Sequence, residues 1–417
     1  VTIWRLMKQP ASLTSASHMD LHQHIAQAMH EAGGWLAFDR FMAMALYTPG
    51  LGYYAGNAVK FGTLPDGGSD FVTAPELSPL FGCVLATQLR EALDICGVDE
   101  LWEFGAGSGA LAAQLLEALG ERVRRYTIVD ISGNLRARQQ ERLAAFGDRV
   151  AWVDRLPQQL QGVVVGNEVL DAMPVQLLHR KRGIWHERGV ALQDGHFVWH
   201  DRPTDLRPPL EIEGTHDYLT EIHPQAEGFV RTLATHLRRG AVLLLDYGFG
   251  EREYYHPQRH MGTLMCHRGH QADGNPLLDL GQKDITAHVN FTAMALAAQA
   301  AGLQVLGYTT QAHFLINCGL QASLETASPM QRAQAAKLIM EHEMGELFKV
   351  LAIGVGQPWQ PVNPRRSTAT AVVCCPSTAS KIAKPAWLLE WFSVSIETKP
   401  VAHEVIVRQR PAPRIIA

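Results

Sequence analysis

The residues best placed to do chemistry in this 417-residue chain are acids that directly follow apolar runs. In "ELWEFGAGSGALAAQLLEAL" (100–119) an apolar run enters Gly105, Gly107 and Gly109, and a helical pattern follows. Glycines there let a ligand approach the backbone at a helix N-terminus. The spacing satisfies GxGxxG/A, so a dinucleotide site is one reading and a plain tight turn is the other. Two acids go with the loop. Glu103 stands two residues before Gly105, at the C-terminal end of an expected strand, where ligands of open α/β sheets sit. Asp130 ends the next expected strand, 25 residues past Gly105. An acid at that place accepts hydrogen bonds from ribose hydroxyls.

These two acids differ in what they discriminate. A carboxylate at Glu103 repels a pyrophosphate but suits a cofactor with a positive sulfonium and an amino-acid ammonium. Asp130 suits any ribose, that of NAD or of S-adenosylmethionine alike. A third expected strand end, "VGNEVLDAMPV", brings Asn167, Glu168 and Asp171 directly after an apolar run. The plainer reading is that Asn167 or Asp171 caps the next turn. Upstream, "DFVTAPELSPLFG" offers Thr73 or Ser78 as helix caps, with Glu76 near a helix start where its charge is favourable. His256, His260, His267 and His270, with Cys266 beside them, match no dense zinc spacing. They are expected to form a polar loop that contacts substrate or cofactor, with no metal. Asp284 and His288 are expected to cap and orient a helix that starts near Phe291.

The elements that must position these residues alternate. Strands "LWEFG", "RYTIVDIS", "RVAWV", "GVVVGNEVLDAMP", "GAVLLLDYG" and "LQVLGYT" are interleaved with helices at 110–119, 134–146, 224–237 and 291–301. That pattern predicts a mostly parallel, Rossmann-like α/β sheet with helices on both faces. Before it come a helical stretch at 18–47, with Ser17 as cap and Gly33–Gly34 as a stop, and a long helix from Ser78 to Cys96. Residues 176–223 alternate apolar and polar with glycines at turns, which predicts inserted antiparallel hairpins. A second insertion at 249–290 is expected as a loop over the site. Ser328–Pro329 starts a further helix expected to run to about Gly345.

Composition bounds the rest. Hydrophobic residues make up 47% of the chain, enough for a large core. A formal charge of −4 with basic residues dispersed argues against general nucleic-acid binding. No apolar run approaches a membrane span, and six cysteines, four isolated and Cys374–Cys375 adjacent, form no disulfide framework. Residues 1–18 read as a flexible leader rather than a targeting signal, and Val1 fits a bacterial non-AUG start, so a cytoplasmic protein is expected. Residues 19–97 read as an N-terminal helical, cofactor-covering region and 98–356 as the α/β domain. The tail 357–417 is atypical: from 361 on it has no Gly or Asp but seven Pro, and it is open to disorder or to a frameshifted origin. The reading also allows a homodimer.

Taken in order, "ALYTPGLGYY", "KFG", "DFVTAPELSPLFG", "WEFGAGSGALA", "YTIVDIS", "GNEVLDAMPV", "GAVLLLDYGF", "GTLMCHRGHQADGNPLLDLGQKDITAHVNFT" and "LFKVLAIG" resemble one family, the MidA-like S-adenosylmethionine-dependent methyltransferases. Its mitochondrial members are known as complex I assembly factor and protein arginine methyltransferase. The resemblance spans roughly Asp20 to Gly356. It implies a class I methyltransferase sheet with N-terminal elements folded over the cofactor. It implies S-adenosylmethionine held by Glu103, Gly105, Ala106, Gly107, Gly109, Asp130, Ile131, Asn167, Thr73 and Pro75. It departs from the family at Asp130, where a glutamate is usual. It also implies a protein arginine acceptor on a complex I-type subunit, which Glu168 and Asp171, with Glu76 third, would bind and help deprotonate. A small-molecule acceptor and a non-catalytic, cofactor-binding assembly factor are the alternatives.

Overall fold

The computed structural model describes residues 20–56, 72–130 and 133–355, together with two short paired strands at 396–398 and 405–407. The leader, the "KFG" motif, Ile131 and nearly all of the tail lie outside the described residues.

Seven strands form the central sheet: β1 Glu100–Phe104, β2 Arg125–Val129, β3 Val150–Val153, β4 Val163–Asn167, β5 Leu237–Phe249, β6 Gln304–Thr310 and β7 Phe348–Val355. They lie in the order 3-2-1-4-5-7-6. The first five pair in parallel, while β7 runs antiparallel between β5 and β6. The mostly parallel α/β sheet is therefore the one expected, with the last strand inserted backwards. The short strands Leu160–Gln161 and Val289–Asn290 pair with the two ends of β5.

Apolar alternation explains the layers. Leu101, Val163, Val165, Leu243 and Leu245 face helices α4 (Pro79–Cys96) and α5 (Ala110–Leu119) across one core. Trp102, Phe104, Val164, Val242 and Leu244 face α7 (Pro224–His236) and helix Phe291–Ala300 across the other. These strands are buried on both faces, as helix-covered parallel sheets require. Helix α6 (Gly133–Arg142) follows β2.

The segment expected as one N-terminal region divides between two cores. Helices α1 (Leu21–Glu31) and α2 (Phe38–Tyr47) pack with a second, antiparallel sheet. That sheet contains the expected hairpin strands at 176–181, 184–193, 196–203 and 218–222, and adds Trp35–Ala37 at its edge. Helices α3 (Ala74–Leu77) and α4 instead belong to the central sheet's core.

Several local expectations are corrected. The cap of α1 is Asp20, in a capping box with Gln23, whereas Ser17 lies outside the described residues. The strand through "GVVVGNEVLDAMP" stops at Asn167 because Glu168 adopts φ 53°, which no strand accommodates. The second insertion is a small three-stranded antiparallel sheet at 265–268, 271–273 and 284–286 rather than a loop. The Ser328-capped helix ends at Ile339, and a π turn follows at 341–345. Among the described residues no helix is long and apolar enough to cross a membrane.

Candidate functional site

A cavity of about 250 Å³ opens at the C-terminal ends of β1, β2 and β4, where the sheet's strand order reverses. Glu103, the glycine loop, Asp130, Asn167, Glu168 and Asp171 all line it, and so do Thr73, Pro75 and Glu76 from α3 and the residue before it. Among the described residues six acids line this cavity, and no lysine, arginine or histidine does. Lining residues that the sequence did not name for the site include Tyr47 and Tyr54 from the N-terminal covering region, Asp284 from the second insertion, and Phe229.

The glycine loop closes one end. Gly105 and Gly107 have φ of 62° and 52°, so a side chain at either would be strained, and a Cβ on Gly105 would also crowd Val169 at 3.2 Å. Helix α5 starts at Gly109 without a side-chain cap, and its first residues Ala110 and Leu111 line the cavity. Glu103, 2% exposed, accepts a hydrogen bond from the Tyr126 hydroxyl at 2.7 Å. Burial pushes its carboxyl up to about 8, against that hydrogen bond and with the help of Asp130's charge. Asp130 accepts from Gln139 Nε2 at 2.8 Å, and the same amide donates to Gly107 O at 2.9 Å. Trp152 Nε1 in turn donates to Gln139 Oε1 at 2.9 Å. Gln139, fully buried on α6, therefore ties the loop to the acid at the next strand end; no motif pointed to it.

Glu76 is engaged already. Its Oε1 accepts from Ser108 Oγ and from Arg142 Nη1, the latter at 3.1 Å, and Arg142 also donates to Ser108 Oγ at 2.7 Å. This contact fastens α3 to the glycine loop. The arrangement fits a structural strap and gives no support to Glu76 as a third acceptor-binding acid.

The opposite end is built by the loop after β4. Asp246 on β5 shapes that loop: its Oδ2 accepts the backbone N–H groups of Val169, Leu170 and Asp171 at 3.1, 2.8 and 3.2 Å. Asp246 thus caps this turn from outside it. The Glu168 N–H donates to Leu245 O at 2.9 Å, which fixes its left-handed backbone. A non-glycine residue held in that region marks a site where surrounding structure over-determines the conformation. Asn167 Nδ2 donates to Glu168 Oε1 at 2.8 Å, and the Tyr247 hydroxyl donates to Asp171 Oδ2 at 2.6 Å. Asn167 Oδ1 and Asp171 Oδ1 are buried acceptors with no protein donor. Burial, then the neighbouring Asp171 charge, raises Glu168 to about 8, and burial raises Asp171 to about 6.

Asp284 does not cap the helix at 291–300. Asn290 does, accepting from Ala293 N. Asp284 instead lies 2% exposed on the cavity wall and accepts from the Tyr54 hydroxyl at 2.8 Å. The backbone holds its strand beside the Glu168 loop, since Ala287 N donates to Asp171 O at 3.0 Å. His288 does not line the cavity; it is stacked on Phe249 and edge-on to Tyr247. None of His256, His260, His267 or His270 lines the cavity. Among the described residues no group of three His, Cys, Asp or Glu could hold a metal ion.

Comparison with known proteins agrees with this geometry. Residues 84–309 match the model of a family described as "putative S-adenosyl-L-methionine-dependent methyltransferase". A crystal structure of a Burkholderia thailandensis protein bound to S-adenosyl-homocysteine is 49% identical, covers 80% of this chain and 92% of its own, and superposes with a TM-score of 0.77. A native structure from the same organism is 46% identical over 82% of this chain and 93% of its own, with a TM-score of 0.75. Among curated proteins, the zebrafish (Danio rerio) protein arginine methyltransferase NDUFAF7, mitochondrial, is 27% identical over 82% of this chain and 88% of its own length. The Drosophila melanogaster homologue is 28% identical over 84% and 88%.

Proposed function

The chain belongs to the family of S-adenosyl-L-methionine-dependent methyltransferases, and from that premise we propose that it methylates an arginine side chain of a protein. S-adenosylmethionine is the cofactor, and when bound it supplies an electrophilic methyl group on a positive sulfur. The residues present suit it. Glu103 offers a buried carboxylate to a cation, Asp130 an acceptor for ribose hydroxyls, and the uncapped start of α5 free N–H groups for a carboxylate. The unpartnered Asn167 Oδ1 is a further acceptor. We assign cofactor binding to these groups together with Gly105, Ala106, Gly107 and Gly109, with Thr73 and Pro75 covering them.

The observation that carries the acceptor is the surplus of acid at the far end of the cavity. Glu168, Asp171 and Asp284 meet there, and among the described residues no basic lining residue balances them. Burial makes ionising these carboxylates costly, and a cation that enters among them offsets that cost. A guanidinium answers both the charge and the open acceptor on Asp171. Its nitrogen is a poor nucleophile because its pKa exceeds 12. A carboxylate that orients the nitrogen and takes its proton as the methyl arrives removes that obstacle. Glu168 and Asp171 are the catalytic residues we assign to that step. The animal relatives named protein arginine methyltransferase support the same acceptor. On the family resemblance, a complex I-type subunit is the first substrate to try.

The test is methyl-labelled S-adenosylmethionine in a cell extract, followed by mass spectrometry of the labelled peptides. Label on arginine is the expected result. Label confined to lysine, to carboxylates or to small molecules would sink the arginine reading.

A further inference from the structure

The acceptor end of the cavity carries a feature that the acids alone do not explain. Two tyrosines from the N-terminal unit, Tyr47 and Tyr54, stack with ring centroids 5.5 Å apart and planes 19° from parallel. Both line the cavity that holds Glu168 and Asp171. Neither hydroxyl is free to reach a ligand as a donor: Tyr47 gives its proton to Ala172 O at 2.8 Å and Tyr54 to Asp284 Oδ2 at 2.8 Å. Each ring is therefore pinned at its tip. Tyr47 is tied to the loop that carries Asp171, and Tyr54 to the strand that carries Asp284. The same acids surround both rings electrically, because Asp284 and Asp171 are among the charges that hold the two phenols above their ordinary range, after burial.

We propose that Tyr47 and Tyr54, fixed by Ala172 and Asp284, form an aromatic wall that makes the acceptor subsite selective for a planar guanidinium over an ammonium. This rests on the cationic-acceptor reading of the previous section. Carboxylates by themselves attract either cation. A guanidinium is flat, delocalised and weakly hydrated, so it stacks on an aromatic face while its edge meets carboxylates. An ammonium is a compact, strongly hydrated charge that loses its water in such a slot without a matching contact. The wall thus discriminates where the acids do not. Asp284 acts as a positioning residue through Tyr54 and adds negative charge near Glu168.

The experiment measures binding of N-acetyl-arginine methylamide and N-acetyl-lysine methylamide to the full-length protein saturated with S-adenosyl-homocysteine, by calorimetry or ligand-detected NMR. The wild-type protein is expected to prefer the arginine probe. Tyr54→Leu, which removes the aromatic face, is expected to weaken the arginine probe by about tenfold and to leave the lysine probe within about twofold. Tyr54→Phe keeps the face and loses the tether, so it should retain most of the preference, while Asp284→Asn should weaken both probes. Affinity for S-adenosyl-homocysteine, read in every variant, reports whether the fold and the cofactor end are intact. A wild-type preference that survives Tyr54→Leu unchanged overturns the wall while leaving the arginine reading in place. A wild-type protein that favours the lysine probe, or binds neither, overturns the arginine reading and the wall with it.

Discussion

Glu221 and Glu168 are both buried glutamates, yet their surroundings are opposite. Glu221, fully buried on strand Tyr218–Ile222, accepts four hydrogen bonds: from Thr263 N at 2.8 Å and Leu264 N at 3.2 Å on Oε1, and from Tyr254 OH at 2.8 Å and Thr263 Oγ1 at 3.1 Å on Oε2. It joins the second insertion to the hairpin sheet, and its acceptor capacity is spent inside the protein. Glu168 takes a side-chain bond from Asn167 and a backbone N–H from Ala74, and otherwise faces a cavity of other acids. Burial raises both carboxyls. The pKa direction alone therefore does not separate a structural acid from a functional one. What separates them is whether the remaining acceptor sites point at the protein's own donors or at an open cavity.

The contrast breaks most sharply at Glu168. Glu168→Gln keeps the shape and the Asn167 contact but removes the charge, so turnover is expected to fall by about 10²–10³-fold. Single-turnover methyl transfer at saturating cofactor measures this, and wild-type turnover in the variant would remove Glu168 from catalysis. Glu221→Ala should do the reverse. It strands four donors in the interior, and stability should drop by about 3–5 kcal/mol. Urea unfolding measures that loss, and the folded fraction should keep wild-type affinity for S-adenosyl-homocysteine. A variant as stable as wild type would show that the two acids do not differ as described.

The smallest effect concerns pH. Glu103 and Glu168 both sit near 8 when folded, above the ordinary glutamate value of 4.5. Between those values the folded chain holds protons that the unfolded chain has lost. Stability of the cofactor-free protein should therefore be highest near the low end and fall as pH rises toward about 8, by about 2–4 °C in Tm per kcal/mol lost. A bound cation needs Glu103 ionised, so S-adenosylmethionine binding at neutral pH should release a proton. Calorimetry in buffers of different ionisation enthalpy reads that release, and a buffer-independent heat would contradict the raised Glu103.

Much of the fold was legible because strand and helix periodicities are local. Helix 110–119 and the Ser78-capped helix appear where the pattern put them. The first half of the site was legible for the same reason: Glu103, the glycines and Asp130 lie within one strand–loop–helix–strand unit. The second half was only half visible. Glu168 and Asp171 follow an apolar run and could be read, but Asp284 looked like a cap because the tyrosine it binds, Tyr54, lies 230 residues away in sequence. Tyr47 and Tyr54 looked like parts of an ordinary helix and turn. Gln139 and Asp246 carry no local signal at all, since each is defined by the distant backbone it holds.

By itself the sequence determined a helix-covered, mostly parallel sheet, a glycine loop at a helix start, and acids at the strand ends beside it. Local periodicity and side-chain type are enough for that. Only the tertiary structure decided which acids share a cavity, which are already paired, and which aromatic rings face them. Those relations depend on contacts between segments more than a hundred residues apart, such as Tyr47 with Ala172 and Tyr54 with Asp284, which no local pattern encodes.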